Sequence, residues 1–279
     1  MMQMGFGYRR FYCGPVEAVI FDMAGTIVDF GSRAPAGVFV EVFRRHGITI
    51  SPAEARLPMG AEKRAHVAEL LAMPAVRARF ADRHGRDPDE ADIDRIYQDF
   101  IPLQLETLPA FSALIPGTAA TVAALRARGI RIGANTGYNR AMMELVQAAM
   151  AEQGMTLDSA VAASDVPRAR PSPAMCLVNA AQLAASTVTA CVKVDDTVPG
   201  IEEGLAAGMW TVGITLSGNE IGLSEAEWQA LPAQERQARL ARAEARLRAA
   251  GAHFVIPSVA DLLPVIDVIE TRLAAGARP

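Results

Sequence analysis

The chain has 279 residues, 51% of them hydrophobic, and its 27 basic and 31 acidic residues give a formal net charge of −4. This length and apolar content suffice for one large domain, or for a core with a smaller insert, and they exclude a disordered chain. The small negative charge gives no electrostatic basis for binding nucleic acid or an anionic membrane surface.

The cysteines and the N-terminal segment bear on the compartment. Cys13, Cys176 and Cys191 are odd in number and lack metal-ligand spacing, which favours reduced thiols in a cytoplasmic protein. No apolar run is long enough to span a bilayer. The first 15 residues lack the apolar stretch of a secretory signal, and we interpret them as a variable leader with no assigned role.

Short apolar runs rich in β-branched residues alternate with longer helical patterns along most of the chain. The predicted strands are residues 16–21, 130–135, 160–164, 189–194, 210–215 and 253–256. The predicted helices between and after them are residues 117–129, 138–153, 173–184, 199–208 and 258–274. This alternation indicates βαβ units, and therefore an α/β fold with a doubly wound parallel sheet. The continuous apolar character of the strands fits burial on both faces.

One long interval, residues 31–110, breaks this alternation. It holds three helical patterns and no convincing strand. We therefore predict an all-helical cap domain, inserted over the carboxyl edge of the sheet, where ligands of open α/β sheets bind. The α/β core would comprise residues 1–30 and 111–279. A second helical stretch, residues 224–250, has the composition of a solvated surface and is assigned no chemistry.

Polar residues follow four of the predicted strands. A single acid at a strand end often only caps the next helix. Several such positions in order favour a shared site, because the carboxyl ends of parallel strands meet at one edge of the sheet. These positions are Asp22, Thr136, Arg170 and the pair Asp195 and Asp196.

This ordered set resembles the haloacid dehalogenase superfamily, whose members share a strand-end aspartate nucleophile, a Ser/Thr, a Lys/Arg and a magnesium-binding acid. The resemblance covers nearly the whole chain and implies a haloacid dehalogenase-like core. It implies that Asp22 is the nucleophile and a Mg²⁺ ligand, together with the backbone carbonyl of Ala24 and with Asp196. It also implies that Thr136 holds a phosphoryl oxygen and that Arg170 neutralises charge. A carboxylate can attack phosphorus only if the repulsion between anions is offset in this way.

Two departures from the superfamily pattern concern the metal. Many members carry a second acid four residues after the metal-binding aspartate, where this chain has Gly200. Glu202 or Glu203 could compensate through water, or the metal could be held by fewer carboxylates. Neighbouring strand-end residues point to opposite sides, so we expect only one of Asp195 and Asp196 to bind the metal. The resemblance favours Asp196.

Residue 24 raises the question of what protonates the leaving group. Superfamily phosphatases typically carry a second aspartate there, whereas this chain reads Asp22-Met-Ala24-Gly-Thr. The chain is therefore either a degenerate enzyme or one whose leaving group is not an alkoxide. In the cap, Met59, Lys63 and His66 are spaced to share one helical face, although a lone lysine on a helix is usually solvated.

Motifs from cap and core together resemble the phosphonoacetaldehyde hydrolase (phosphonatase) family. They are D-x-A-G-T, the cap segment M-G-x-x-K-x-x-H, N-T-G-Y, and D-D-T with a downstream G-M-W-T-V-G. The resemblance implies that Lys63 forms a Schiff base with the substrate aldehyde. An iminium can accept the electron pair of the broken carbon–phosphorus bond, so the fragment leaves as an enamine and no second aspartate is needed.

The expected function is Mg²⁺-dependent hydrolysis of the small-molecule substrate phosphonoacetaldehyde to acetaldehyde and phosphate, through a Lys63 Schiff base and an Asp22 aspartyl phosphate. Desolvation under a closed cap would favour the neutral amine of Lys63, and His66 would shuttle protons or position it. The residues predicted to contact the substrate are Met59, Gly137 and Tyr138. The resemblance also implies a homodimer joined through the cap.

Two alternatives stay open. One is a phosphatase or phosphomutase acting on a small phosphate ester, against which Ala24 argues. The other is a catalytically silent, ligand-binding relative, against which the joint presence of all the strand-end residues argues.

Overall fold

The computed structural model describes residues 11–279, so the first ten residues of the predicted leader lie outside the described part. One parallel sheet is formed by β1 (Ala18–Phe21), β2 (Arg131–Thr136), β3 (Ser159–Ala162), β4 (Cys191–Asp195), β5 (Trp210–Ile214) and β6 (Phe254–Ile256). The order across the sheet is β3-β2-β1-β4-β5-β6. Because the order reverses between β1 and β4, a crevice for ligands forms outside their carboxyl ends. The predicted α/β fold with a doubly wound parallel sheet is confirmed.

The strands are short and buried on both faces. Every residue of β1, β4 and β5 is buried, which explains why their apolar runs are continuous instead of alternating. All six lie within two residues of their predicted bounds. At β4 the reason for the shift is local, because Val188–Ala190 forms a 3₁₀ turn and the strand begins only at Cys191.

Five helices occupy residues 33–107, within the interval predicted to be all-helical. They are α1 (Arg33–Arg45), α2 (Pro52–Arg56), α3 (Lys63–Ala72), α4 (Pro74–His84) and α5 (Glu90–Thr107). The phenyl rings of Phe39 on α1 and Phe100 on α5 stack with their centroids 4.4 Å apart, and both are fully buried. These helices therefore pack against one another, and their buried apolar side chains join the same core cluster as those of the sheet.

The remaining helices belong to the sheet region. They are α6 (Thr118–Ala127), α7 (Arg140–Glu152), α8 (Ala174–Gln182), α9 (Val198–Ala206), α10 (Glu225–Ala230), α11 (Ala233–Ala249) and α12 (Leu262–Ala274). The stretch 224–250 divides into α10 and α11, and α11 is mostly exposed with two buried residues, Ala243 and Leu247. Among the described helices, none combines the length and the apolar character needed to cross a membrane.

The two connections between the helical interval and the sheet region run side by side. The backbone N–H of Asp29, in the first connection, donates to the carbonyl of Ala113 in the second (3.2 Å). We propose that residues 31–110 form a separate cap domain and that the rest of the chain forms the core, because the chain crosses between the two only at these connections.

Candidate active site

Asp22 lies at the point where the strand order reverses. Its backbone N–H donates to the carbonyl of Val194 on β4 (2.8 Å), which places the side chain at the carboxyl edge. Its Oδ1 lies 2.8 Å from Nη2 of Arg170, and both side chains are buried. Burial, reinforced by the charge of Asp195, raises the pKa of Asp22 to about 6, although Arg170 acts in the opposite direction.

Arg170 is held by groups on three other elements. Its Nε donates to Oε2 of Glu203 on α9 (2.9 Å), and its Nη2 donates to Oδ1 of Asn135 on β2 (2.6 Å). Burial opposes the charge of the guanidinium, but Asp195, Asp22 and Glu203 outweigh it and raise the pKa of Arg170 further above its usual value. Arg170 is therefore a fixed positive charge beside Asp22.

Lys193 and Asn135 are site residues that the sequence analysis missed. Lys193 is fully buried on β4, with Nζ 2.9 Å from Oδ2 of Asp195 and 2.5 Å from Oδ1 of Asn135. The available signal was a charged or amide residue inside an otherwise apolar strand, as in Cys191-Val-Lys193-Val. Such a residue must find a partner when both faces of the sheet are covered.

Three carboxylates gather beside Arg170. Asp22, Asp195 and Asp196 each present an oxygen within 4.8 Å of the others. Thr26 Oγ1 donates to Oδ1 of Asp196 (2.9 Å), and the backbone N–H of Asn219 donates to its Oδ2 (2.8 Å). Both Asp195 and Asp196 bring an oxygen to the cluster, and that only one of them binds a metal stays a prediction. β4 ends at Asp195, so the alternation of a strand does not extend to Asp196.

The charge balance of this cluster fits a divalent cation. Burial, reinforced by the charges of Asp22 and Asp195, raises the pKa of Asp196 well above its usual value, and a bound cation would favour its ionised form. With Glu203 there are four buried carboxylates against two paired cations, Arg170 and Lys193, which leaves two negative charges. Carboxylate oxygens are also the ligands that hard divalent cations prefer. The three acids could therefore hold a metal ion.

Lys63 approaches the site from the cap. It is the first residue of α3, and the carboxylate of the preceding residue, Glu62, accepts hydrogen bonds from the backbone of Arg64 and Ala65. Lys63 is only 4% exposed, and Nζ lies 5.4 Å from the ring centroid of Tyr138. Burial lowers its pKa to about 8, partly opposed by Asp22.

Cap and core residues enclose one cavity of about 20 Å³, room for roughly one water molecule. Among the residues that line it are Asp22, Ala24, Met59, Lys63, Thr136, Gly137, Tyr138 and Arg170. The structure therefore brings these predicted site residues together. Asp196 lies beside them in the carboxylate cluster, but His66 does not line the cavity.

The cap contacts the core closely at Gly60. Its φ is +94°, and a Cβ there would lie 2.3 Å from Oγ1 of Thr197. Its carbonyl also lies 3.5 Å from Nη1 of Arg170. A residue without a side chain is therefore required next to Met59 for the cap to reach the sheet edge.

The environment of His66 differs from the one expected for a proton shuttle. It is fully buried, its Nε2 lies 2.9 Å from the carbonyl of Ala55, and its ring stacks on Phe39 at 3.8 Å. Burial and then the charge of Lys63 hold its pKa well below 6.5, so the ring is neutral. Nε2–H donates to Ala55, which leaves Nδ1 as an acceptor with no partner among the residues described.

Comparisons with known proteins agree on the family. The model of a family described as haloacid dehalogenase-like hydrolase matches residues 16–208. The chain is 51% identical over 276 residues to the phosphonoacetaldehyde hydrolase of Hahella chejuensis, covering 99% of this chain and 94% of that protein. It is 47% identical over 270 residues to the phosphonoacetaldehyde hydrolase of Nitratidesulfovibrio vulgaris, covering 97% and 96%.

A solved structure extends the agreement to three dimensions. The crystal structure of a phosphonoacetaldehyde hydrolase-like protein from Oleispira antarctica matches with a TM-score of 0.97 and 48% identity, over 99% of this chain and 100% of that one. The chain is therefore a hydrolase with a haloacid dehalogenase-like fold. It belongs to the phosphonoacetaldehyde hydrolase family of the haloacid dehalogenase superfamily.

Proposed function

We propose that this enzyme hydrolyses the carbon–phosphorus bond of phosphonoacetaldehyde, giving acetaldehyde and phosphate. The names of its relatives support this substrate. The observation that carries the proposal is that Lys63 and Asp22 line the same buried cavity, while residue 24 is an alanine and not an acid. An amine opposite the nucleophile suits a leaving group that departs from phosphorus through a carbon atom.

The first step is imine formation at Lys63. Its Nζ attacks the aldehyde carbon, and loss of one water with uptake of one proton gives a protonated imine. Only the neutral amine has a lone pair for this attack, and burial brings the pKa of Lys63 down to about 8, so a useful fraction is neutral near pH 7. We propose that His66 supports this step by positioning Lys63, since it lies one helical turn away on α3 and its buried ring donates to the carbonyl of Ala55.

The second step breaks the carbon–phosphorus bond. An Oδ atom of Asp22 attacks phosphorus, and the bonding pair moves into the iminium to form an enamine. Arg170, 2.8 Å from Asp22, neutralises charge on the phosphoryl oxygens, and Thr136 donates a hydrogen bond to one of them. Asp22, Asp196 and the carbonyl of Ala24 would hold Mg²⁺, which supplies further charge neutralisation when bound.

The cycle closes with two uses of water. One water hydrolyses the aspartyl phosphate and restores Asp22. Protonation of the enamine carbon regenerates the imine, and a second water releases acetaldehyde and restores Lys63, so that one water is consumed overall. Met59, Gly137 and Tyr138 would contact the substrate. Because a cavity of about 20 Å³ cannot hold it, we propose that the cap opens for entry and closes for chemistry.

Homodimerisation through the cap remains a proposal that rests on the family resemblance. Light scattering of the purified enzyme tests it, and a mass of about twice 29.7 kDa is expected.

The small number of lysines in the chain simplifies the test for a Schiff base. The sequence contains only two lysines, Lys63 and Lys193, and Lys193 is paired with Asp195. Borohydride reduction in the presence of phosphonoacetaldehyde should inactivate the enzyme and leave a two-carbon adduct on the peptide that contains Lys63. The matched control is Lys63→Arg, which keeps the charge but should neither form the adduct nor turn over. Activity that survives both treatments would contradict the mechanism.

The two alternatives have separate outcomes. Phosphate release from sugar or acyl phosphates that persists in Lys63→Arg would indicate a phosphatase or phosphomutase. Absence of turnover by the native enzyme on every phosphorylated compound would indicate a silent relative. Asp22→Ala should abolish turnover under the proposed mechanism, and unimpaired turnover would rule out the assigned nucleophile.

A further inference from the structure

Gly200 stands where many superfamily members carry a second metal-site acid, and the structure shows what occupies that space. Gly200 is the third residue of α9, and its N–H donates to Oγ1 of Thr197 (3.3 Å). A Cβ on Gly200 would lie 1.9 Å from both Cγ and Oδ2 of Asp195. Two heavy atoms that are not bonded cannot approach so closely. An acid at position 200 and the observed carboxylate of Asp195 therefore exclude each other.

We infer that Asp195 supplies, from the end of β4, the negative charge that a residue-200 acid supplies from the following helix. The two positions are adjacent in space, and one carboxylate replaces the other. This inference rests on the proposed cation site. It assigns Asp195 as a positioning residue for that site, in addition to the ligands proposed above. We call this replacement of a residue-200 acid by Asp195 the exchange, and it requires glycine at position 200.

The contacts of Asp195 show how the carboxylate is held in that space. Its Oδ1 accepts from both the N–H (2.9 Å) and the Oγ1 (2.7 Å) of Thr197. Its Oδ2 lies 2.9 Å from Nζ of Lys193 and 3.3 Å from Nη2 of Arg170. Hydrogen bonds to Oδ1 and ion pairs at Oδ2 therefore hold the carboxylate in place, within 4.8 Å of ligand atoms on Asp22 and Asp196.

The other acids on α9 do not take this place. Glu202 is exposed. Glu203 is buried but turns to the far side of Arg170, where its Oε2 accepts from Nε (2.9 Å) and its Oε1 accepts from Asn135 (3.2 Å). Glu203 is also outside the group of three carboxylates. The compensation through Glu202 or Glu203 that the sequence left open is therefore not what the geometry favours.

The exchange can be tested by moving the carboxylate from position 195 to position 200. Mn²⁺ binding to the purified, substrate-free enzyme, followed by electron paramagnetic resonance, reports on the site without requiring turnover. Asp195→Asn should weaken Mn²⁺ affinity about 10- to 100-fold, as for other residues that support a metal site through its ligands. Gly200→Asp alone should lower the melting temperature because of the overlap. The double variant Asp195→Gly with Gly200→Asp should recover most of the Mn²⁺ affinity lost in Asp195→Asn.

Glu203→Gln is the matched control, because Glu203 also pairs with Arg170 and lies 3.8 Å from Lys193. It should lower Mn²⁺ affinity less than Asp195→Asn does, because Glu203 lies outside the group of three carboxylates; the difference separates the metal site from the general ion-pair network. Native Mn²⁺ affinity in Asp195→Asn, with circular dichroism showing a folded protein, would overturn the inference. So would an equal loss in Glu203→Gln, or a double variant that binds no better than Asp195→Asn.

The outcomes separate this inference from the proposed function. If the native enzyme binds no Mn²⁺, the proposed cation site fails and the exchange fails with it. If the Mn²⁺ affinities follow the expected order but phosphonoacetaldehyde is not turned over, the exchange stands and the proposed substrate does not.

Discussion

The cap and the core each contribute one of the two lysines of this chain, and both lysines are buried. In the core, Nζ of Lys193 lies 2.9 Å from Asp195 and 2.5 Å from Asn135. In the cap, Nζ of Lys63 forms no hydrogen bond or ion pair with any other described residue; it faces the rings of Tyr138 (5.4 Å) and Phe39 (5.9 Å). The same residue type therefore meets opposite surroundings.

This difference explains how one fold can use lysine in two ways. A buried ammonium with acidic partners is stabilised as a charge, so Lys193 neutralises the carboxylates behind the nucleophile. A buried amine without such a partner loses its proton more easily, and the pKa of Lys63 is accordingly lowered to about 8. The core is arranged to hold charges in place, whereas the cap presents a group that can react.

Replacing each lysine by methionine, which keeps the length of the side chain, gives the sharpest test of this contrast. Lys63→Met should lower kcat roughly 10⁴- to 10⁶-fold, as for the loss of other covalent nucleophiles, because no imine can form. Its free energy of unfolding should not fall, since no described partner loses a contact. Steady-state kinetics and urea unfolding measure the two effects, and a large loss of stability would contradict the comparison.

Lys193→Met should show its main effect in stability. It leaves the carboxylate of Asp195 without its 2.9 Å partner in the core, and removing one partner of a buried ion pair costs about 3–5 kcal/mol. The free energy of unfolding should fall by that amount in urea. A change equal to that of Lys63→Met would mean that the two lysines are not distinguished by their surroundings.

Arg56 extends the comparison to a cap cation that binds neutral groups. Its guanidinium donates to the carbonyls of Gly31 (2.9 Å) and Gly222 (3.0 Å) and to Oδ1 of Asn219 (3.1 Å). The N–H of Asn219 in turn holds Oδ2 of Asp196, so Arg56 connects the cap to the metal edge.

Arg56→Met should therefore lower kcat/KM about 10- to 100-fold, which corresponds to the 1.5–3 kcal/mol typical of hydrogen bonds to a charged group. Arg56→Lys, which keeps the charge but cannot reach all three acceptors, should resemble Arg56→Met more than the native enzyme. An Arg56→Lys variant with native kcat/KM would show that charge alone matters.

The pH dependence of kcat/KM tests the free amine directly. Imine formation needs neutral Lys63, whose pKa is about 8, and phosphoryl attack needs ionised Asp22, whose pKa is about 6. Both groups are active when deprotonated, so kcat/KM should rise with pH, about tenfold per unit between these two values, and level off above the higher one. A profile that keeps rising about tenfold per unit up to about pH 10 would contradict a lowered pKa at Lys63.

Much of the fold and of the candidate site could be predicted because it depends on local patterns. Asp22 and Thr136 could be predicted because they are polar residues at the ends of buried apolar strands. Lys63 could be predicted from its spacing within the cap segment and from the family resemblance. Lys193 and Asn135 were missed, because a polar residue within a strand reveals its partner only when neighbouring strands are in register. The directions of the Asp195 and Glu203 side chains could not be predicted for a related reason, since each depends on where an element ends and what packs against it.

By itself the sequence determined the α/β class, the positions of the strand ends and the absence of an acid at residue 24, because each follows from periodicity and composition over a few residues. The tertiary structure alone decided that Asp195 occupies the space beside Gly200, that Glu203 supports Arg170, and that one lysine is paired while the other is not. Charges and close contacts join residues far apart in the chain, and these depend on how the elements pack.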